Sequence, residues 1–276
     1  MARLLPYGVL AVFFICGLRA APAADSPFAL VFIDVKTELE LGGFPLDRAI
    51  IAKGVRQLKS VGAKAVVLKF FFDQPRTAAS DAALAEAISV LPVALQARID
   101  DMETAPNKLP ARFVVNGLSL GNSSAFKGKS GWLPLPLLAD RAVALGFVDL
   151  PIAGRVPVLE MYQGHVVKSL GLCALEMAAE AQAVIEPGKR LTLAGCTVTL
   201  DSANSIPVEF PRADTLDYVP FHELLSDPAA AGKLKGKVVV LGYDGAKIHT
   251  IMTPVGPRKA HRVFWHGLQS LWHQLH

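Results

Sequence analysis

The sequence has no excess of charge of one sign: 28 lysines and arginines stand against 24 aspartates and glutamates in 276 residues. Without Arg3 and Arg19 of the amino-terminal segment the balance is 26 against 24, and so even a surface gives nucleic acid no footing. Internal repeats and low-complexity tracts are absent. No second long apolar run follows the first, so no further membrane span is expected. Zinc-hydrolase spacing is missing too: His249, His261, His266, His273 and His276 crowd the end without an i, i+4 pair beside an acid. His266 and His273 lie two turns apart on one helix pattern, as a weak surface metal contact or a solvated face. No metal or cofactor is implied. Cysteine is scarce, with Cys16, Cys173 and Cys196 the full set.

The front of the chain supplies the clearest address. MARLLPYGVLAVFFICGLRAAPAADS carries Arg3, an apolar run from Leu4 to Leu18, and small residues around Ala21-Pro22-Ala23. That order reads as a secretory signal peptide over 1–23. The run, interrupted by Pro6 and Gly8, is short of the ~20 residues of a spanning helix. Cys16 leaves with the leader. The mature chain, 24–276, is then periplasmic or secreted, with membrane contact only through an uncleaved leader or a membrane-bound partner. An oxidising compartment permits a Cys173–Cys196 disulfide; two buried thiols are the equal alternative.

Two catalytic look-alikes sit in ARFVVNGLSLGNSSAFKGKSG. Gly117-Leu118-Ser119-Leu120-Gly121 fits G-x-S-x-G, but a nucleophile elbow needs a helix behind its serine, and NSSAFKGKSG has no helical period. Gly128-Lys129-Ser130 ends like a phosphate loop, yet Ser123 stands where the earlier glycine belongs. Both lie in an irregular excursion over about 99–133, where function or drift is equally at home.

The rest alternates. FALVFIDV reads as a strand, LDRAIIAKGVRQLKSVG as a helix with Asp47 ahead of it and Gly62 behind, and AKAVVLKFFF as a second strand, together a βαβ unit. DAALAEAIS and LPVALQAR continue the pattern. LPLPLLADRAVALG reads as a Pro-started helix, followed by strands in GFVDLPI and RVPVLEMYQGHVV with a turn at Ala153-Gly154. SLGLCALEMAAEAQAVI is expected to be the longest helix of the mature chain, and RLTLAGCTVTL a hairpin bent at Ala194-Gly195. PFHELLSDPAAAGKL gives a small helix, KGKVVVLGYDG a buried strand and RVFWHGLQSLWHQL an amphipathic terminal helix. The fold class is α/β: a single-domain layered fold with a mostly parallel or mixed central sheet flanked by helices.

In this order the chain resembles the CHASE2 family of extracytoplasmic sensor domains from about Phe28 to Leu275. FIDV with Gly43, Phe44, Pro45 and Arg48 looks like the family's opening segment, and GAKAVVLKFFFDQP like its second strand with a proline-ending exit. Arg155 and Ser169 fall in a matching strand, strand, helix segment. LKGKVVVLG, Thr253-Pro254 and His266 resemble the close. Lys69 and His249 stand where the family usually has acidic residues, and the insert between Gly146 and Arg155 is short. The family usually carries a membrane region and a cyclase or kinase output after the sensor, and none is seen here.

The resemblance implies a non-enzymatic sensory or partner-binding domain without its own output, taking an unknown small-molecule ligand or an envelope protein partner. A secreted hydrolase using Ser119 and a degenerate structural envelope domain are the competing readings. Candidate ligand residues are Asp34, Arg48, Lys69 and Asp73, expected at the carboxyl ends of the strands where open α/β sheets bind ligands, together with Arg155. For Asp34 and Lys69 a buried structural pair weighs evenly against recognition. Arg155, Ser169 and Thr253 lean toward turn and cap roles.

Overall fold

Strand β1 (Phe28–Ile33) is apolar at every position, as a strand covered on both faces must be. The computed structural model describes residues 26–276 except 103, 105, 106, 122, 151 and 152. The expected leader, with Cys16 and the cleavage point, lies outside the described residues. Helix α1 (Val35–Leu41) follows, then α2 (Arg48–Ser60), β2 (Ala65–Leu68), α3 (Ala78–Ile88) and β3 (Val93–Ile99). Across the excursion run two short strands, β4 (Lys127–Gly128) and β5 (Gly131–Trp132), before α4 (Pro136–Ala139) and β6 (Ala144–Phe147). An accessory block holds β7 (Arg155–Pro157), β8 (Leu159–Tyr162), β9 (His165–Lys168), α5 (Leu170–Ala179), β10 (Val184–Glu186), β11 (Arg190–Leu193), β12 (Cys196–Thr199) and β13 (Ser205–Pro207). The chain ends with β14 (Val219–Pro220), α6 (Phe221–Ser226), α7 (Pro228–Ala231), β15 (Val238–Tyr243), the hairpin β16 (Thr250–Thr253) and β17 (Gly256–Lys259), and α8 (Ala260–Leu275).

The central sheet runs β14-β1-β15-β2-β3, with β6 parallel on the far side of β3 and β5 antiparallel at the end of β3. The other pairings are parallel. The α/β class therefore holds. Alternation of side chains sorts the strands onto two cores. Ile33, Val66 and Leu68 pack with α2, α3 and α6 on one face, while Phe32, Val67 and Ala94 pack with α5 and α8 on the other.

Of the two placements open for the first two strands, neighbours or near-neighbours, the second holds, because β15, from the far end of the sequence, lies between β1 and β2. Several expectations are corrected. The apolar run 133–146 does not make one helix: α4 is a single turn, and ALGF extends as β6 to pair with β3. The longest described helix is α8, with 16 residues, against 10 in α5. Helix α5 is short because it ends at Glu180 in the left-handed region. It also starts hard against the sheet: a Cβ on Gly146 would fall 2.3 Å from Leu170 Cα. The hairpin bend at Ala194-Gly195 is as expected, both residues having positive φ.

The bond weighed between Cys173 and Cys196 is not formed; both are free thiols. Cys173 points from α5 onto β6, its Sγ 3.7 Å from the Leu145 carbonyl, whereas Cys196 starts β12 beside the hairpin turn. Burial pushes the Cys173 thiol up to about 12, which leaves almost no thiolate at neutral pH. On chain lacking 1–23 and never reduced, a maleimide is expected to count two thiols after unfolding, with Cys173 protected in the folded state. A count of zero overturns the free-thiol assignment.

Candidate functional site

The register of the sheet sets the site. Leu68 pairs with Leu95, so the next residues, Lys69 and Gln96, stand side by side on the face toward α8. Lys69 Nζ donates to Gln96 Oε1 at 2.6 Å and lies 5.1 Å above the Phe264 ring. The side chain is 5% exposed. Burial drives its pKa from 10.5 down to about 7, opposed by the field of Asp149 and reinforced by that of Arg98.

Around Lys69 open two adjoining clefts of about 330 and 380 Å³, both within the roughly 300–1,000 Å³ of small-molecule sites. Lys69, Phe71, Gln96, His249 and His261 line both. The clefts form one crevice outside the carboxyl ends of β15, β2, β3 and β6, where open parallel sheets bind ligands.

One half carries a carboxyl pair. Asp149, just after β6, accepts from the Ile99 amide at 2.8 Å and lies 3.9 Å from Arg98 Nε. Its neighbour Glu160 is fully buried on β8, and among the described residues no N–H or hydroxyl donates to either of its oxygens. The Glu160 carboxyl instead meets that of Asp149. Two adjacent buried carboxyls do not both ionise. Burial followed by the Asp149 charge raises Glu160 well above the usual range, so it stays protonated and donates to Asp149. Burial raises Asp149 itself to about 6 despite that bond.

The other half is aromatic. Phe44 stacks on Tyr243 with centroids 3.8 Å apart, Phe70 follows at 6.1 Å from Phe44, and Phe72 at 6.0 Å from Phe70. Phe71 packs against Trp132 at 4.8 Å. His261 Nδ1 accepts from the Tyr243 amide at 2.8 Å, and burial, with the Lys69 charge, keeps the ring neutral. The proton is therefore on Nε2.

The five candidates separate accordingly. Lys69 is at the centre, and Asp73 reaches the rim. Arg48 borders the crevice, but its Nη1 is closed onto Asp81 Oδ1 at 2.6 Å and its Nη2 onto the Gln74 carbonyl at 2.6 Å. Asp34 is outside the crevice. It caps α1 by accepting from the Thr37 amide at 2.8 Å, and β15 separates it from Lys69, so the expected Asp34–Lys69 pair is absent. Arg155 holds β7 to β13 through Asp201 at 2.6 Å and Ser205. Ser169 caps α5 and Thr253 closes the β16–β17 turn, as anticipated.

Ser119 is exposed, its Oγ accepting from the Gly121 amide at 3.3 Å, with no helix behind it. Gln96, Asp149, Glu160 and His261 escaped the candidate set. A glutamine in the apolar strand LPVALQAR was the legible signal. Asp149 and Glu160 had none, since only the accessory block brings them together. Lys69 and His249, the two positions that depart from the family's acidic pattern, both line the crevice.

Among the described residues no cluster of three or more histidine, cysteine or acidic side chains is arranged to hold a metal ion. No described helix is long and apolar enough to cross a membrane. Searches of curated proteins and of solved structures returned no match. The CHASE2 domain model, however, matches residues 10–269, nearly the whole chain, and the chain therefore belongs to the CHASE2 domain family of extracytoplasmic sensory domains.

Proposed function

We propose that the chain, freed of 1–23 on export to the periplasm or the medium, binds a small molecule non-enzymatically in the crevice around Lys69 and passes its occupancy to an envelope partner. The observation that carries this reading is Lys69 itself. A buried ammonium facing two clefts, with one hydrogen bond to a neutral amide, is a poor structural device and a good recognition group. The carboxyl pair and the aromatic wall on either side give it polar and apolar complements.

The test is a thermal-shift screen of mixed anionic, neutral and cationic metabolites on the exported chain and on Ile248→Trp, which fills the crevice from its rim loop. A ligand at a hundred times its Kd stabilises by about 2.7 kcal/mol, or roughly 5–10 °C at this chain length. At least one compound is expected to shift the wild type by that amount and the variant by little. If no compound shifts the wild type, or every hit shifts both alike, the crevice is not the binding site.

A further inference from the structure

We infer that the ligand is a small monocarboxylate with a flat apolar body, its carboxylate seated on Lys69 Nζ and its body against the Phe44–Phe70–Phe72 wall. This rests on the crevice being the binding site, and goes further by fixing the chemical class.

Lys69, Trp132 and His261 bring N–H donors to the walls of the aromatic half. An ammonium has three N–H donors, and among the described residues Lys69 Nζ donates a hydrogen bond only to Gln96 Oε1. Among the described residues no carboxylate stands at ion-pair distance from it. Asp149 acts on it only through space, its own carboxyl being held by the Ile99 amide and Glu160. Trp132 Nε1 is buried without a partner on the wall of the same cleft. His261, which lines both clefts, carries its ring proton on Nε2, since Nδ1 accepts from the Tyr243 amide. A buried donor left unpaired is costly, and with Lys69 holding unused N–H donors beside Trp132 Nε1 this half is matched by an acceptor.

Charge narrows the class. Arg48 is neutralised by Asp81, and Lys247 reaches out to the Phe44 carbonyl. With Arg76 standing exposed on the rim, Lys69 is then, among the described residues lining this cleft, the buried cation without an ion pair. A monoanion matches it, whereas a dianion would leave buried charge uncompensated. Among the described residues of the aromatic half, a cationic ligand finds an acid only at Asp73 on the rim, whose Oδ2 already accepts from Gln74. The stacked Phe44 and Tyr243 rings and the edge of Phe70 give a flat apolar surface suited to a ring.

Isothermal titration of the exported chain with benzoate, phenylacetate and indole-3-acetate tests the class, with phenylacetamide and benzylamine as neutral and cationic controls. At least one carboxylate is expected to bind saturably, and the amide and amine about 10- to 100-fold more weakly, as for loss of a charged hydrogen bond. Lys69→Met should weaken carboxylate binding by the same factor. Wild-type affinity should also fall about tenfold per pH unit above pH 7, as Lys69 loses the proton the carboxylate needs. Failure of all three carboxylates, equal binding of phenylacetamide or benzylamine, or a flat pH profile overturns the assignment. The two readings fail separately. Neutral or cationic screening hits that Ile248→Trp abolishes refute the carboxylate and leave the binding site standing, whereas the absence of any crevice-dependent hit refutes both.

Discussion

Asp81→Ala is expected to destabilise the fold by about 3–5 kcal/mol, because it strands the Arg48 guanidinium at the start of α2 in a site that water barely reaches. The side chains of this pair are 6% and 7% exposed, and the second Asp81 oxygen accepts from the Arg76 amide at 3.0 Å. The pair therefore fastens α2, α3 and the exit from β2 together. Arg56 and Glu86 join the same two helices at 3.4 Å but are 43% and 77% exposed, so their removal should cost only about 0–1 kcal/mol. Denaturant midpoints of the two single variants make the comparison directly. The double variant Arg48→Met, Asp81→Leu should recover most of the loss, since no buried charge is then left alone. An Asp81→Ala loss under ~1 kcal/mol would show that the pair is solvated.

This pair stands in place of the one the sequence pointed to. Lys69 and Asp34 were legible as charges in apolar strands, but pairing depends on strand order, and β15 joins the sheet between β1 and β2 from more than 150 residues away. What local pattern carries was readable: β1, α2, β2, α3, β3 and α8 follow from apolar period and caps. What depends on distant partners was not. The run 133–146 has a helical composition, yet the open edge of β3 draws ALGF into the sheet. Asp34 shows the same split, for its cap on α1 needed only VKTELEL to be read as a helix. Lys69 and Asp73 reach the crevice because they leave β2 at its carboxyl end, which the βαβ pattern did imply. Gln96 and His261 belong to it through register and through the return of α8, neither of which a single segment records.

Lys69→Met is expected to stabilise the protein by about 1–4 kcal/mol at pH 6, while weakening the carboxylate binding assigned to the crevice about 10- to 100-fold. A lysine with a folded pKa of about 7 against 10.5 disfavours the folded state wherever it must carry its proton, by about 1.4 kcal/mol for each pH unit that separates the two values. The sign follows from proton counting. Below pH 7 both states hold the proton and the penalty is complete; from pH 7 to 10.5 the folded state binds fewer protons than the unfolded, so wild-type stability rises and the penalty fades. The gain from Lys69→Met should accordingly be largest below pH 7 and vanish near pH 10.5, where only the lost Gln96 hydrogen bond remains. Asp149, shifted upward, acts the other way: its stabilising contribution declines as pH rises from the ordinary carboxylate range through about 6, and Glu160, raised well above that range, acts in the same direction. Comparing wild type and variant at each pH removes most of that background. Urea unfolding at pH 6, 8 and 10 reads the difference. A variant less stable at every pH would make Lys69 a structural member of the sheet. A variant that is more stable at pH 6 but binds the carboxylate that much more weakly shows a charge retained against the interest of the fold, as a recognition residue is.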